Sequence, residues 1–270
     1  MMVSQLPNSD QVRQALAEIT AFEQSKVPGV WRGLDKNQIT AQLRSRVNNP
    51  FTLNQGSQPF CGPAVIIFEL IRRDPLSYVK ICRNLFQIGG FHTQSGIWIS
   101  ASENLRNGEG NYRMPPVDWM ILSTLRESEN LIVPIHPNTS DIVRNVGGMT
   151  KSWEIAKWVK EILGYQKIQY NNTYLFGDLE AMQDVYEALK LGGVALALIN
   201  DGGLLRNQPP RIPYPSHWIS ILGNISIQSK SSVQFEVYTW AKKMQVQVDE
   251  VTFKTHFWGV VIGQNPSIQM

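Results

Sequence analysis

The chain predicts an α+β protein, with helices over its first two thirds and β-strands over its last third. Two observations carry that reading. Apolar residues recur at helical spacing around Asp10 to Gln24, Cys61 to Arg73, Thr150 to Leu163 and Asp178 to Leu191. After Gly192-Gly193 the pattern changes to short β-rich runs separated by turn residues. The composition agrees: 270 residues, 43% hydrophobic and 17% charged, can bury a core without disulfide or metal support.

Taken in order, residues 1–50 form a lead segment with one amphipathic helix from Asp10 to Gln24. Ser9 or Asp10 stands at the N-cap position, and Leu16, Ile19 and Phe22 lie at helical spacing. Residues 51–270 then form a single catalytic domain with a variable insertion over about 87–150. In PFCGPAVIIFELIRR a helix begins at or just after Cys61, with Pro63 in its first turn, Arg72 and Arg73 at its end and Asp74-Pro75 as its stop. Apolar residues go nearly all the way round it, which marks a helix buried on most sides. Cys82, in the helical stretch SYVKICRNLF, reads as a buried structural thiol. The insertion is rich in Gly, Asn, Ser and Pro and contains one helix, PVDWMILSTLRE from Pro116. The strands are VALALIN from Val194, HWISILGNISI from His217, VQFEVYTW from Val233, MQVQV from Met244 and FWGVVIG from Phe257.

Several function classes are excluded or left without support. The net charge of +3 comes from 25 basic and 22 acidic residues with no run of five like charges, so there is no nucleic-acid footprint. The longest apolar runs cannot span a bilayer, and MMVSQLPNSDQVRQALAEIT lacks a secretory apolar stretch. A soluble chain is expected, either cytoplasmic or exported by a dedicated system, or a piece of a longer protein. Two cysteines without CxxC spacing, and His92, His136 and His256 without acidic or cysteine neighbours, predict no metal site. No cofactor is expected. Gly89-Gly90 and Gly147-Gly148 lack phosphate-loop spacing and read as turns. Asp201-Gly202-Gly203 and NQPPRIPYP read as a loop beside the active site.

The residues around Cys61 point to a sulfur nucleophile. At a helix N-terminus the macrodipole and unpaired backbone N–H groups favour the thiolate, lowering a thiol from about 8.5 to roughly 3.5–7.5. Gln55 places a side-chain amide ahead of the thiol, where it can donate to an oxyanion together with the N–H of Cys61. Gly62 leaves space above the sulfur. Far downstream, His217 opens a strand, where an imidazole can face the thiol as its base.

NQGSQPFCGPA, residues 54–64, resembles the nucleophile region of papain-like cysteine peptidases, in which a glutamine precedes the catalytic cysteine at the start of a buried helix. The CGPA form is closer to bacterial relatives such as phytochelatin synthases and papain-fold toxin domains. The likeness covers about residues 50–75 and 192–262. It implies a papain-like fold in which the buried nucleophile helix packs against a C-terminal antiparallel sheet. It also implies Gln55 as oxyanion donor, Cys61 as nucleophile and His217 as base and then acid. The family's Asn or Asp, which orients the histidine from the next strand, is missing from VQFEVYTWAKK. Overlaying YTWA on the family's NSWG puts Tyr238 there, whereas overlaying VYT on the VYD of the bacterial peptidases puts Thr239 there. Thr239 is the candidate taken, a backbone carbonyl is the alternative, Glu236 lies nearby on the strand, and Trp240 matches the tryptophan that shields the pair from water.

The implied function is peptide-bond cleavage by a thiol protease acting on a protein or peptide substrate, in a housekeeping peptidase or a bacterial effector or toxin. Deamidation, transglutamination and transpeptidation use the same sulfur chemistry, and a non-catalytic interaction module of the same fold is the reading from a different class.

Overall fold

The computed structural model describes residues 7–108, 110–129, 150–172, 179–208, 214–228 and 232–265. They form ten α-helices and eight strands in an α+β arrangement, grouped as a helical unit up to Thr150 and a sheet unit from Lys151. Among them no helix is long and apolar enough to cross a membrane.

The helical unit starts with α1 (Ser9–Gln24). Its cap is Asn8, one residue ahead of the expected Ser9 or Asp10: the Asn8 side chain accepts from Gln11 N–H at 2.8 Å, and Asn8 N–H donates to Gln11 Oε1 at 3.2 Å. The lead segment holds a second helix, α2 (Lys36–Asn48), where one had been expected. KNQITAQLRSRVN hides its inward stripe because Thr40 and Arg46 complete the row of Ile39, Leu43 and Val47, and Arg46 is buried. The α1 helix packs on α2 and on α4 (Pro75–Ile88).

Between α2 and α4 runs α3 (Cys61–Arg73), buried from Cys61 to Arg72. Its sequence explains that burial except at Glu69, which is fully buried and takes the guanidinium groups of Arg72 at 2.6 Å and Arg73 at 2.8 Å. Asp74 both ends α3 and caps α4, accepting from Ser77 N–H at 3.0 Å ahead of Pro75. The remaining elements are the antiparallel hairpin β1 (Gly90–His92) and β2 (Trp98–Ser100), α5 (Glu103–Asn107) and α6 (Pro116–Glu129).

Asp118, on α6 and fully buried, joins three parts of this unit. Its carboxylate takes Arg46 of α2 in two bonds, Nε at 3.1 Å and Nη2 at 2.6 Å, and also accepts Asn54 N–H at 3.0 Å.

The sheet unit comprises α7 (Ser152–Glu161), β3 (Lys167–Asn172), α8 (Leu179–Lys190), β4 (Val194–Ile199), α9 (Asp201–Leu205), β5 (His217–Gln228), β6 (Ser232–Thr239), β7 (Lys242–Val248), α10 (Glu250–His256) and β8 (Phe257–Gln264). Six strands pair in the order β3-β8-β4-β5-β6-β7, every pair antiparallel. The five expected strands are all present. The sequence reading missed β3, an edge strand whose KIQYNN lacks apolar alternation, and α10. Asp201-Gly202-Gly203, expected as loop, is the first turn of α9, with Asn200 accepting Gly203 N–H at 3.2 Å as cap.

One face of the sheet carries the apolar cluster, with Met182 and Val185 of α8 and Phe253 of α10 against Ala197, Ile219 and Phe235. On β5 and β6 it is the odd-numbered residues that face it: Ile221 lies opposite Val237, and Ser220 opposite Tyr238.

Replacing Asp118 with Ala strands a buried guanidinium and a backbone N–H, and is expected to destabilise the protein by about 3–5 kcal/mol in urea unfolding. The double replacement Arg46→Met with Asp118→Leu is expected to recover most of that loss.

Candidate active site

Cys61 is the first residue of α3, as its sequence context predicts. The residue before it, Phe60, caps the helix through its backbone alone, and the first turn closes with Ala64 N–H donating to Phe60 O at 2.8 Å. Cys61 is 6% exposed. The space that Gly62 leaves is taken by Thr150, not by an opening above the sulfur: a Cβ on Gly62 would overlap the Thr150 side chain.

The loop leading to Cys61 is a set of linked turns. Asn54 Oδ1 accepts Gly56 N–H at 2.8 Å, and Gly56, at φ 57°, approaches the Arg113 carbonyl so closely that a Cβ there would overlap it. Half-buried Gln55 donates from Nε2 to Gln58 O at 3.0 Å, and Gln58 N–H donates to Gln55 O at 3.2 Å. Buried Gln58 anchors the loop further by donating to Tyr112 O at 3.1 Å. Gln55 thus uses one of its two amide hydrogens inside the loop that presents Cys61.

In the sheet unit, His217 is the first residue of β5 and is 5% exposed. Its Nε2 shares a hydrogen bond with Thr239 Oγ1 at 2.7 Å. The register explains why Thr239 and not Tyr238 is the partner: His217, Ile219, Val237 and Thr239 share parity and face, and Tyr238 points the other way. Glu236 is engaged elsewhere, its carboxylate 2.7 Å from Lys243 Nζ.

Trp240 stacks on the imidazole with ring centroids 4.9 Å apart and planes at 27°. It sits in a two-residue turn closed by the Thr239 and Lys242 pair, and both turn residues have positive φ, 45° at Trp240 and 57° at Ala241. Such turns are ordinarily built from Asn and Gly, and a residue with a Cβ costs about 1–2 kcal/mol in this region.

Burial lowers the His217 imidazole from 6.5 to about 4, with Asp201 pulling it up and Arg206 pushing it down. The ring is therefore neutral at neutral pH. By contrast, burial pushes the Cys82 thiol far up, which makes it an inert core residue as expected.

Around His217, the sequence placed Asp201 only within a loop beside the site and did not single out Asn200, Arg206 or Ser216. Buried Asn200 donates from Nδ2 to Tyr214 O at 2.8 Å, and its N–H donates to His256 O at 2.8 Å. Asp201 N–H donates to Ser216 Oγ at 3.0 Å, and that hydroxyl donates back to the Asp201 carboxylate. The Asn200-Asp201 pair before Gly-Gly, a helix-cap pattern, was the signal available.

Of the remaining histidines, His92 is exposed and lies against Trp98 with ring centroids 4.8 Å apart and planes tilted by 58°, and His256 packs on Gly203. Among the described residues no cluster could hold a metal ion. His136 and Gly147-Gly148 lie outside the described residues. No protein-family model matches the chain, and no curated protein matches its sequence.

The depressed His217 value has a pH signature of definite sign. As pH falls from 6.5 towards 4 the unfolded chain takes up a proton that the native chain refuses, so stability is full above pH 6.5 and drops by about 3 kcal/mol towards the acid side. Urea unfolding at stepped pH is expected to show this component in the native sequence and to lack it in His217→Gln. Ala241→Gly relieves the turn and is expected to raise stability by about 1 kcal/mol in the same assay.

Proposed function

We propose that the chain is a papain-like cysteine-nucleophile acyl-transfer enzyme that cleaves peptide bonds. The observation that carries the reading is the His217–Thr239 bond at 2.7 Å. A buried, neutral imidazole at the head of a strand has one nitrogen tied to a hydroxyl of the next strand, in the role for which the papain-like sequence pattern uses Asn or Asp. The start of α3 at Cys61, with Gln55 in the preceding loop, supports it from the other half of the chemistry.

In this reading Nε2–H donates to Thr239, which leaves Nδ1 as the basic nitrogen. Cys61 supplies the sulfur, whose thiolate adds to the substrate carbonyl carbon. The Cys61 N–H and the second amide hydrogen of Gln55 hold the oxyanion. His217 carries the thiol proton to the leaving amine, and the C–N bond breaks to leave a thioester on Cys61. Water, deprotonated by His217, then hydrolyses the thioester and releases the acid. A neutral base suits this sequence, because it must take a proton before it can give one.

Iodoacetamide at neutral pH is expected to alkylate Cys61 at least tenfold faster than Cys82, about the reach of a thiolate favoured by a helix start over a buried thiol. Equal slow labelling of both would contradict an activated thiol. A proteome-derived peptide library treated with the native chain and with Cys61→Ala, read by mass spectrometry, then reports the reaction. Cleavage that needs Cys61 supports the proposal. A mass increase of about one dalton at glutamine would instead assign deamidation, and no change dependent on Cys61 would overturn the enzyme reading.

A further inference from the structure

Arg206 follows α9 directly and takes no part in the chemistry above. Its Nε is 3.1 Å from Asp201 Oδ2, and its guanidinium carbon lies 4.5 Å over the Trp240 ring. The same indole stacks on His217. Asp201 is held by Ser216, the residue bonded to His217 in the chain, and Ser216 N–H donates to Ile199 O at 2.8 Å. The contacts therefore close a circuit from Asp201 through Arg206, Trp240, His217 and Ser216 back to Asp201.

This circuit is poorly explained as a stability device. The Arg206 side chain is 51% exposed, where an ion pair contributes little to folding, and Trp240 is held in a backbone region that resists a side chain. What the circuit does is hold an indole flat against an imidazole.

We propose that Arg206 is a positioning residue for His217, acting through Trp240 to fix the plane of the imidazole against Thr239. The inference rests on the reading of His217 as the general base. The cation also works on the charge of the ring: it disfavours imidazolium, and Asp201 favours it. Among the described residues, Glu236 of β6 is paired with Lys243 of β7, Lys242 closes the Trp240 turn opposite Thr239, and His256 of α10 is packed on Gly203.

The test is the imidazole signal of His217 by NMR across a pH titration, in the native chain, Arg206→Gln, Arg206→Lys and Asp201→Asn. In Arg206→Gln the midpoint is expected to rise by about half a pH unit or more, since a cation is lost and Asp201 is left unpaired. The ring-current shift that Trp240 imposes on His217 is expected to shrink at the same time. Arg206→Lys keeps the charge without the flat guanidinium, so its midpoint stays near the native value and the ring-current shift falls. Asp201→Asn moves the midpoint down, and it carries the test if Arg206→Gln does not fold. An unchanged midpoint and an unchanged ring-current shift in Arg206→Gln would overturn the proposal. The rate of Cys61 alkylation by iodoacetamide, taken over the same pH range, separates the two readings. A profile that follows the His217 midpoint supports both, whereas NMR changes with a flat profile would sink the enzyme reading and leave the positioning role standing.

Discussion

The carboxylate of Asp118 is the point on which the helical unit is organised. It sits at zero exposure and gathers a guanidinium from α2 and a backbone N–H from the loop before Cys61. An ion pair in such a place is no bargain against an apolar pair, because desolvation offsets its Coulomb attraction. Its distinctive effect is directional. Two parallel bonds to one guanidinium fix the angle between α2 and α6, and the third bond fixes Asn54, whose side chain starts the turn at Gly56. Gln55 and the start of α3 inherit their placement from that anchor.

In the sheet unit the corresponding constraint is register. Because successive side chains alternate between faces, a slip of β6 by one residue against β5 would exchange Thr239 for Tyr238 beside His217 and would turn Phe235 and Val237 away from their cluster. The apolar cluster under α8 and α10 therefore enforces the polar pair at its edge. Packing elsewhere on the sheet thus secures the His217 and Thr239 contact, which on its own is a single hydrogen bond.

The sequence was most readable where one physical signal acted alone. The five strands after Gly193 carry β-branched and aromatic runs bounded by turns, and α3 carries an apolar surface with a proline at its start and arginines at its end. Reading failed where a polar residue does an apolar residue's work. Arg46 looks like a surface residue of α2 until Asp118 neutralises it, and KIQYNN makes a strand through its backbone bonds to β8. At the candidate site, Cys61 and Gln55 were visible because both lie in one short segment with a known chemical logic. Thr239 was a choice among neighbours, since strand register is a long-range property. Arg206 was invisible and Asp201 was legible only as part of a loop beside the site, because only the fold brings Arg206 over Trp240 and Ser216 onto Asp201.

A threonine in place of a carboxylate beside His217 has a chemical consequence within the proposed mechanism. An aspartate would stabilise imidazolium and so favour a resting thiolate–imidazolium pair. A hydroxyl orients the ring without supplying charge, and burial pushes the imidazole towards neutrality against the pull of Asp201, with Arg206 adding a smaller push the same way as burial. The resting state is then biased to neutral imidazole and depends on the start of α3 to favour the thiolate. Proton transfer through His217 would accompany bond making and breaking and would not precede them, because imidazolium is costly here except while a negative charge is developing on the substrate. In that mechanism the arrangement would give up resting nucleophilicity for a base that is unprotonated when substrate arrives. The hydroxyl, the indole and the arginine around His217 would there fix the position of the ring, and Asp201 is the group among its surroundings that favours its charge.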